Sequence, residues 1–477
     1  MFLRVMFSVL SFVSFSLFSL FSNTALSFDA FREDRDGWIY VQVGGKPYDR
    51  GFDYGRLVAP EIDDLISTFK VYLLETTKQD WNWYRNTSNK LFIPKLPSHS
   101  EYLLEMTGIV DGLADAGYQY DLLDIIALNS VIEVSEYYLP SIKKHGKKHK
   151  PMMRCSAFIA TGNWTSDNKI VMAHNSWNDY IIGQRWKVIL DIRPESGHAI
   201  LMQTAPGFIH SGTDFLVNTA GIIITETTIG NFAGFDTNGM PEFIRARNAA
   251  QYSESVDDVY NLLRNQTNGG YANTWLVGDI NTNEIAKIEL GLINVALYRS
   301  KNGYYHGENY VDDSKMILDE VGPTLWNTTE NWPFKLASTN TITARAMRWR
   351  ALMEQYKGKI TVEHAKSFLA DQKEEATGKF TPGGLVLMAR METTNIPEMP
   401  GAVAPRPFGA NEGKAIDANL ARKMSFWARM GHPDGSPYKW PSFLQKNPAF
   451  AWQAPYLHDL VAYQWALFAS NASKRRK

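Results

Sequence analysis

Cysteine is almost absent from this chain: among 477 residues there is one, Cys155, beside 14 Trp, 22 Tyr and 25 Phe. A lone thiol cannot close an intrachain disulfide, which excludes a fold held together by disulfide bridges. The commonest fate of an unpaired cysteine is burial as a small apolar side chain. The alternative is a nucleophile, whose chemistry would justify keeping a thiol that is prone to oxidation.

An excess of charge is lacking as well. The chain has 49 Lys and Arg against 50 Asp and Glu, which argues against a general nucleic-acid binder, because backbone binding requires a surplus of positive side chains. Hydrophobic residues make up 44% and charged residues 21%, a composition that predicts a globular protein with a large core. No Ser/Gly-rich linker or repeat divides the chain, and the sharpest change in composition is the basic run "KKHGKKHK" at 143–150.

Several common catalytic signatures are missing. The sequence has no G-x-S-x-G elbow, no Walker loop, no G-x-G-x-x-G turn and no H-E-x-x-H motif. Its ten histidines are scattered, and the close pair His145 and His149 lies among five lysines that would repel a bound cation. We interpret that pair as part of a solvated linker, and we expect neither a metal nor a cofactor.

Residues 1–27 predict a secretory signal peptide. Arg4 precedes an apolar run from about Val5 to Phe21, and small residues follow from Ala25 to Ser27, the order typical of a cleaved signal. Serines dilute the run, which is also slightly short for a membrane span of roughly 20 residues. We therefore expect a protein exported to the periplasm, the exterior or a lysosome-like compartment.

The texture of the chain changes after the basic run. Residues 28–154 show mostly helical patterning, apart from a strand within 35–48 that ends in a Gly-Gly turn. From Cys155 onward, alternating β-branched runs such as "CSAFIATGNW" and "WKVILDIRP" predict a sheet-rich core. Interleaved helices indicate an α+β arrangement of stacked layers. Those helices are expected at 241–248, 255–264, 344–356 and 362–371.

The position of Cys155 suits one particular mechanism. If the bond between Arg154 and Cys155 is broken, the cysteine gains a free α-amine, whose pKa of about 7.7 to 8.0 lies near neutrality. Such an amine can act as general base toward the thiol beside it, directly or through a water. One residue then supplies both nucleophile and base.

Polar residues inside strand-like runs are the candidates to assist that chemistry, because burying them without purpose costs free energy. "MAHNSWNDY" places His174 and Asn175 beside Trp177, and "GGYANTWLVGD" puts Asn273 between apolar residues. "TNTITARAMRWR" gives Arg345 near a helix start. From the residues alone, Asn175 and Asn273 could equally be turn residues, and Arg345 an exposed helix charge.

Taken together, these segments resemble a known family. "CSAF" with "AHNSW" close behind, "AGIIITETTIG" and "NGGYANTWLVGD" resemble the phospholipase B-like proteins and the neighbouring acyl-coenzyme A:6-aminopenicillanic-acid acyltransferase group, both of the N-terminal nucleophile hydrolase superfamily. Before the cysteine, "PYDRGFDYGRLVAPEI" is similar to the propeptide half, and the resemblance extends to about Asp371. It implies a four-layer αββα sandwich, made as a precursor that cuts itself before Cys155, with the two pieces staying associated.

The resemblance also implies roles for individual residues. Cys155 is similar to the nucleophile, Asn273 to the side-chain oxyanion donor, and His174 to a histidine that positions the thiol or the amine. Arg345 is similar in placement to an active-site arginine, although Arg348 and Arg350 are alternatives. We expect the substrate to meet Asn175, Trp177 and Thr227. Acyltransferase-type members show an Arg-Asn-x-Asp run where this chain has "HNSW", which favours the phospholipase B-like branch and leaves the acid partner of the amine open.

The predicted organisation is a signal peptide at 1–27, a prosegment or small chain at 28–154, and a catalytic large chain at 155–477. The predicted reaction is hydrolysis of a fatty-acyl ester or amide through a thioester on Cys155, with a small acyl or lipid substrate, possible transient contact with a membrane surface, and no nucleic acid. The alternatives are an amidase or acyltransferase acting on an N-acyl substrate, or an exported binding protein in which Cys155 is buried and inert. A trypsin-like protease acting in the basic run is another route to the cut.

Overall fold

The structure, a computed structural model, describes residues 29–97, 100–143, 155–212, 215–321, 341–395, 404–461 and 463–470. The predicted signal peptide, most of the basic run and Arg154 lie outside these ranges. Of the two residues that flank the predicted cut, the structure describes Cys155. The boundaries expected at residues 27 and 154 therefore remain predictions.

One sheet has nine strands in the order β1-β2-β5-β6-β7-β8-β9-β10-β11. All neighbours are antiparallel except β2 and β5, which run parallel. Its strands are Phe31–Arg35 (β1), Trp38–Gly45 (β2), Val188–Pro194 (β5), Ile200–Thr204 (β6), Phe215–Asn218 (β7), Ile222–Thr228 (β8), Asn273–Asp279 (β9), Glu284–Leu290 (β10) and Val295–Ser300 (β11).

The other sheet has the order β12-β3-β4-β14-β15-β16, with β13 also paired to β4. The C-terminal region, which the sequence resemblance covers only loosely, supplies four of its seven strands. These strands are Cys155–Thr161 (β3), Val171–Asp179 (β4), Gly303–Gly307 (β12), Phe408–Ala410 (β13), Glu412–Asp417 (β14), Ser425–Met430 (β15) and Ala466–Ala469 (β16).

Helices cover the outer faces of both sheets. The α-helices are Pro47–Leu57 (α1), Ala59–Thr77 (α2), Trp81–Phe92 (α3), Glu101–Asp115 (α4), Leu122–Asn129 (α5), Val131–Glu133 (α6), Leu139–Ile142 (α7), Tyr180–Gly183 (α8), Glu242–Tyr252 (α9), Val256–Arg264 (α10), Ser314–Met316 (α11), Thr341–Gln355 (α12), Val362–Leu369 (α13), Ala418–Ala421 (α14) and Trp440–Lys446 (α15). Short 3-10 and π-helical turns add Ile93–Lys95, Val134–Tyr138, Gly162–Trp164, Ile317–Val321, Met391–Thr393 and Pro448–Gln453. Of the helices in the described ranges, none is long and apolar enough to cross a membrane.

Buried apolar residues sort into three layers. Between the sheets, residues such as Ile223 of β8 pack against Ile159 of β3 and Met172 of β4. On the far side of the nine-stranded sheet, Val41 and its neighbours pack against the N-terminal helices. On the far side of the other sheet, Phe158 and its neighbours pack against α12 and α13. Because side chains alternate along a strand, each sheet is apolar on both faces, and the predicted α+β, four-layer αββα sandwich is confirmed.

The N-terminal segment is built into this sandwich. The sequence predicted it as mostly helical with a strand ending in Gly-Gly, and β2 is that strand, paired in parallel with β5. Its helices α1 and α4 touch backbone to backbone, since a Cβ on Gly51 would lie 2.0 Å from the Glu105 carbonyl oxygen. The helices predicted later in the chain are found as α9, α10, α12 and α13.

Candidate active site

Cys155 is the first residue of β3 and is 3% exposed. In register it lies opposite Ser176 of β4. Alternation along the strand directs Cys155, like Ala157 and Ile159, toward the nine-stranded sheet. The thiol is therefore enclosed between the two sheets at the point where the described chain resumes after the basic run.

A histidine and a glutamate meet the thiol there. One ligand-type atom from each of Cys155, His174 and Glu226 lies within 4.8 Å of the other two. His174 comes from β4 and Glu226 from β8, so the group joins both sheets. All three side chains are buried. We call these three residues the thiol cluster.

The imidazole of His174 is neutral in this setting. Burial, with the positive charge of Lys414 on the neighbouring strand β14, lowers the pKa of His174 well below its ordinary value. Neither ring nitrogen makes a hydrogen bond of ordinary geometry with the described residues, although the Glu226 main chain is near enough to oppose the shift slightly. A neutral imidazole can donate one hydrogen bond and accept another, and the lowered pKa disfavours its taking up a proton.

The thiol is held in its protonated form. Burial is the largest cause that raises the pKa of Cys155 well above its ordinary value, and the negative charge of Glu226 adds to it. The charge of Lys414 and the main-chain N–H of Trp177 act in the opposite direction. In the uncut chain, which has no α-amine at this position, Cys155 needs a neighbouring base to become a nucleophile.

An ion pair lies beside the cluster and was missed by the sequence reasoning. The Lys414 ammonium donates to Glu412 Oε1 at 2.6 Å, and the Ser176 N–H donates to the same oxygen at 2.7 Å. Both charged side chains are fully buried. Glu412 and Lys414 stand two residues apart in a strand-like run, so the rule used to select buried polar candidates could have found them in the C-terminal region.

Glu226 also receives hydrogen bonds from the β8–β9 connection. Tyr271 Oη donates to its Oε1 at 3.1 Å. With the Asn273 amide oriented so that both its atoms are satisfied, Nδ2 donates to Glu226 Oε2 at 2.7 Å and to the Ala272 carbonyl at 3.0 Å. Asn273 opens β9 opposite Thr228. To serve as an oxyanion donor, this amide must exchange one of its two acceptors.

Arg345 holds the main chain of Cys155. From the first turns of α12, its Nη1 donates to the Cys155 carbonyl oxygen and to Ser156 Oγ, and its Nη2 donates to Asn309 Oδ1 at 2.7 Å. The guanidinium lies 4.4 Å from the centre of the Trp177 ring. The structure thus places Arg345 at the main chain of Cys155, on the helical side of the sheet.

The other two arginines of the same helix lie elsewhere. Arg348 forms salt bridges with Asp371 and Glu375 at 2.7 and 2.8 Å. The charge of Arg350 contributes to the surroundings of Tyr304 on the outer side of β12. Of the three candidates in "ITARAMRWR", Arg345 is the one in contact with Cys155.

The residues predicted to bind substrate are dispersed. Asn175 faces away from the thiol, and its Nδ2 donates to the carbonyls of Leu369 and Leu387 at 3.0 and 3.1 Å. Trp177 is on the same helical side, under Arg345. Thr227 is buried next to Glu226 and approaches β12 so closely that a Cβ on Gly307 would lie 2.5 Å from its Oγ1. Their assignment to the substrate stays a prediction.

The thiol cluster is the group among the described residues whose side chains could hold a metal ion. A thiolate, an imidazole and a carboxylate are ligands that Zn²⁺ accepts. The absence of a metal was a prediction from the sequence and remains one. Glu226 itself was missed, although it sits in the quoted "ETT" and is the residue before Thr227.

A four-layer sandwich with a buried cysteine at the first residue of an inner strand is the arrangement that the resemblance to N-terminal nucleophile hydrolases implied. The chain belongs to the phospholipase B family, whose profile matches residues 97–372. The match begins inside the N-terminal segment and ends one residue beyond the limit of the predicted resemblance. The predicted relationship to phospholipase B-like proteins is therefore confirmed.

Two curated relatives each match about half of the chain. An uncharacterized protein of Archaeoglobus fulgidus is 25% identical over 249 residues, covering 49% of this chain and 40% of the relative. Phospholipase B-like 1 of Homo sapiens is 24% identical over 262 residues, covering 48% of this chain and 47% of the relative. The chain thus spans less than half the length of these two relatives.

Solved structures give a weaker likeness. A mutant of conjugated bile acid hydrolase from Clostridium perfringens aligns over 58% of this chain and 89% of its own, with 10% identity and a TM-score of 0.31. Penicillin V acylase from Agrobacterium tumefaciens aligns over 58% and 83%, with 11% identity and a TM-score of 0.30. The layer order described above rests on the sheets of the present chain.

Proposed function

We propose that this protein is an exported acyl hydrolase in which Cys155, freed by cleavage of the bond to Arg154, is an N-terminal nucleophile that cleaves a fatty-acyl ester or amide through a thioester. The observation that carries the proposal is the thiol cluster, where a cysteine at a strand start meets a neutral imidazole and a carboxylate within 4.8 Å. Membership of the phospholipase B family supports a lipid-type acyl substrate. Export is supported by the N-terminal sequence, and access to lipid would require transient contact with a membrane surface.

The first step of the proposed sequence is the cut itself. Cys155 Sγ loses its proton to Glu226, attacks the carbonyl carbon of Arg154 and displaces the Cys155 nitrogen, which takes up that proton. Water then hydrolyses the resulting thioester between the Arg154 carbonyl and Cys155 Sγ, which leaves the Arg154 carboxylate and restores the thiol. The Glu226 carboxylate lies within 4.8 Å of the thiol, a distance that one bridging water can span. The products are a chain ending at Arg154 and a chain beginning with the free amine of Cys155.

Turnover then uses the new amine. It accepts the thiol proton as Sγ attacks the substrate carbonyl carbon, and it returns that proton to the leaving alcohol or amine as the C–O or C–N bond breaks. Water next attacks the thioester, releasing the fatty acid and restoring the thiol. Asn273 is the proposed donor to the oxyanion in both halves. The same intermediate serves an ester and an amide, so geometry at Sγ does not select between them.

The remaining polar residues support this centre. Glu226 is the proposed partner of the Cys155 amine, since its carboxylate lies within 4.8 Å of the thiol and the chain lacks the Arg-Asn-x-Asp run. Arg345 would keep the Cys155 main chain in position through its bond to the carbonyl oxygen. His174, neutral and buried, would orient the thiol.

Cleavage and activity can be tested together. Denaturing gels of the purified wild type should show two pieces, divided before Cys155, and the N-terminal sequence of the larger piece should begin with Cys-Ser-Ala-Phe. Hydrolysis of short fatty-acyl esters and amides should follow appearance of the cut chain. Cys155→Ala should abolish both, and Cys155→Ser should keep at most a slow cut. Full activity in a wild type that is only intact chain would contradict the mechanism.

One observation favours a second candidate, an exported binding protein with an inert core cysteine. Cys155 is almost fully buried and the pKa of its thiol is raised. Iodoacetamide distinguishes the two: an N-terminal nucleophile should be alkylated stoichiometrically in the native cut protein near neutral pH, whereas an inert thiol should react only after denaturation. Protection of the cut chain against the reagent would favour the binding protein.

A further inference from the structure

The segment before the cut carries a buried carboxylate that bonds to the other side of the site. Glu133 ends α6 and is 2% exposed. Asn268 Nδ2 donates to its Oε2 at 2.5 Å, and the main-chain N–H of Glu242, at the start of α9, donates to its Oε1 at 2.9 Å. Both carboxylate oxygens are thus used to hold residues that lie on the far side of the cut.

Asn268 begins the loop that leads into β9. Its Oδ1 accepts from the Gly270 N–H at 3.1 Å and from Arg245 Nη2 at 3.3 Å, while Arg245 Nη2 also donates to the Gly270 carbonyl at 3.0 Å. The amide of Asn268 is therefore fixed in one orientation, with its nitrogen toward Glu133. These hydrogen bonds hold the start of the loop 268–272 in place.

A second contact comes from the next turn of the same segment. Tyr137, four residues after Glu133, packs edge to face against Tyr271 with ring centroids 6.0 Å apart. Tyr271 is the residue whose hydroxyl donates to Glu226. Residues four apart lie on one face of a helix. Glu133 and Tyr137 therefore contact the loop from the same side of the N-terminal segment, one at Asn268 and the other at Tyr271.

We propose that Glu133 is a positioning residue: it fixes the 268–272 loop, which carries Tyr271 and opens into Asn273, so that the N-terminal segment remains a working part of the active site after the cut. The contacts run from Glu133 through Asn268 and Gly270 to the two residues that bond to Glu226. The expected effect on catalysis rests on the proposed function. The effect of Glu133 on the position of the loop rests on the hydrogen bonds and ring contact described above.

Glu133→Gln tests the proposal with little change in volume. The substitution replaces one acceptor oxygen by an NH₂ group, which is a donor. In one orientation of the glutamine amide this group faces the Asn268 NH₂, and in the other it faces the Glu242 N–H. Glu105→Gln is a matched control, because Glu105 is also a buried carboxylate of the N-terminal segment that reaches α9, through Arg247, yet bonds to no residue of the loop. Both variants are examined in the full-length, naturally processed protein at about pH 8, above the pKa of about 7 of Glu133, where its carboxylate is ionised.

Two readouts are used. Amide hydrogen exchange of peptides that cover the loop, measured relative to peptides of β5 and β6, should become at least about tenfold faster in Glu133→Gln. The same ratio should stay unchanged in Glu105→Gln, because a general loss of stability raises exchange in both sets of peptides. The kcat of Glu133→Gln should fall by about 10-fold to 100-fold with KM within about threefold, since a misplaced oxyanion donor acts on the transition state. The folded fraction of Glu105→Gln should keep the wild-type kcat.

The outcomes separate the two hypotheses. Equal loop exchange in both variants, or faster exchange in Glu133→Gln with an unchanged kcat, would overturn the positioning role. A wild type that hydrolyses no acyl ester or amide would overturn the proposed function, and loop exchange would then decide the positioning by itself. If Glu133→Gln does not fold, Tyr137→Leu removes the second contact on the loop and should give the same pattern at a smaller size.

Discussion

Two buried polar clusters of this molecule differ in how completely their charges are matched. In the arginine–glutamate cluster, Glu105 accepts from Arg50 Nε at 2.7 Å and from Arg247 Nη1 at 3.0 Å, so each carboxylate oxygen meets a guanidinium. In the thiol cluster, the imidazole of His174 makes no hydrogen bond of ordinary geometry with the described residues and the Cys155 thiol faces a carboxylate.

This difference in charge pairing indicates different roles for the two clusters. A buried ion network is tolerated when its opposite charges are paired, and the arginine–glutamate cluster joins α1 and α4 to α9 across the predicted cut. Buried polar groups that lack hydrogen-bond partners lower the stability of the fold, and they are found most often at sites of binding or catalysis. We therefore assign the arginine–glutamate cluster to holding the two pieces together and the thiol cluster to reaction.

The largest effect on stability is expected from the matched cluster. Glu105→Gln should lower the free energy of unfolding by about 3 to 5 kcal/mol, because it leaves Arg247 buried without its carboxylate. Urea unfolding followed by tryptophan fluorescence measures it. Glu61→Gln is the control: Glu61 pairs with Arg32 at 2.7 Å, but near the surface, and about 1 kcal/mol or less is expected there. Equal losses in the two variants would contradict the contrast.

Glu133 should make stability depend on pH. Burial raises its pKa from 4.5 to about 7, against the opposing effects of Asn268, Arg245 and the N–H groups of α9. The folded protein therefore holds a proton that the unfolded chain has released between these values. Stability should fall by about 3 kcal/mol as pH rises from about 4.5 to about 7. Unfolding curves of wild type and Glu133→Gln across that range should differ in slope; parallel curves would refute the assignment.

Glu226→Gln should separate reactivity from turnover. Removing its negative charge should lower the pKa of the Cys155 thiol, so alkylation of the uncut chain by iodoacetamide should be faster. Hydrolysis by the cut chain should nevertheless fall about 100-fold, because the amine loses its partner. Glu308→Gln, a buried carboxylate that bonds to His306 Nδ1 at 2.7 Å, is the control. Slower alkylation and unchanged turnover together would place Glu226 outside the reaction.

The smallest effect is expected at Asn175. Asn175→Ala leaves the carbonyls of Leu369 and Leu387 without this donor and should cost roughly 2 kcal/mol of stability. KM should change by less than about twofold if the side chain only ties these segments to β4. Asn281→Ala, whose hydrogen bond to the Ala220 carbonyl is exposed, should cost far less. A large rise in KM would instead support the substrate-binding role predicted from the sequence.

The sequence determined the layered fold and its nucleophile candidate. Alternating apolar runs and amphipathic helices are local patterns, and they predicted stacked α+β layers and a core that begins at Cys155. The four-layer αββα sandwich was implied by the resemblance to a known family. The single cysteine and the short motifs made Cys155, His174, Asn273 and Arg345 the candidate site residues. The structure brings all four together around the start of β3. These features are readable because each depends on residue type and local order along the chain.

Other features were decided by tertiary structure. Glu226 meets Cys155 because β8 of one sheet crosses near β3 of the other, and Glu133 reaches Asn268 across 135 residues of chain. Asn175 looked like its neighbour His174 in the sequence, yet the strand turns it toward Leu369. Which residues face one another across two packed sheets depends on register and packing, and a single sequence contains no local signal for either.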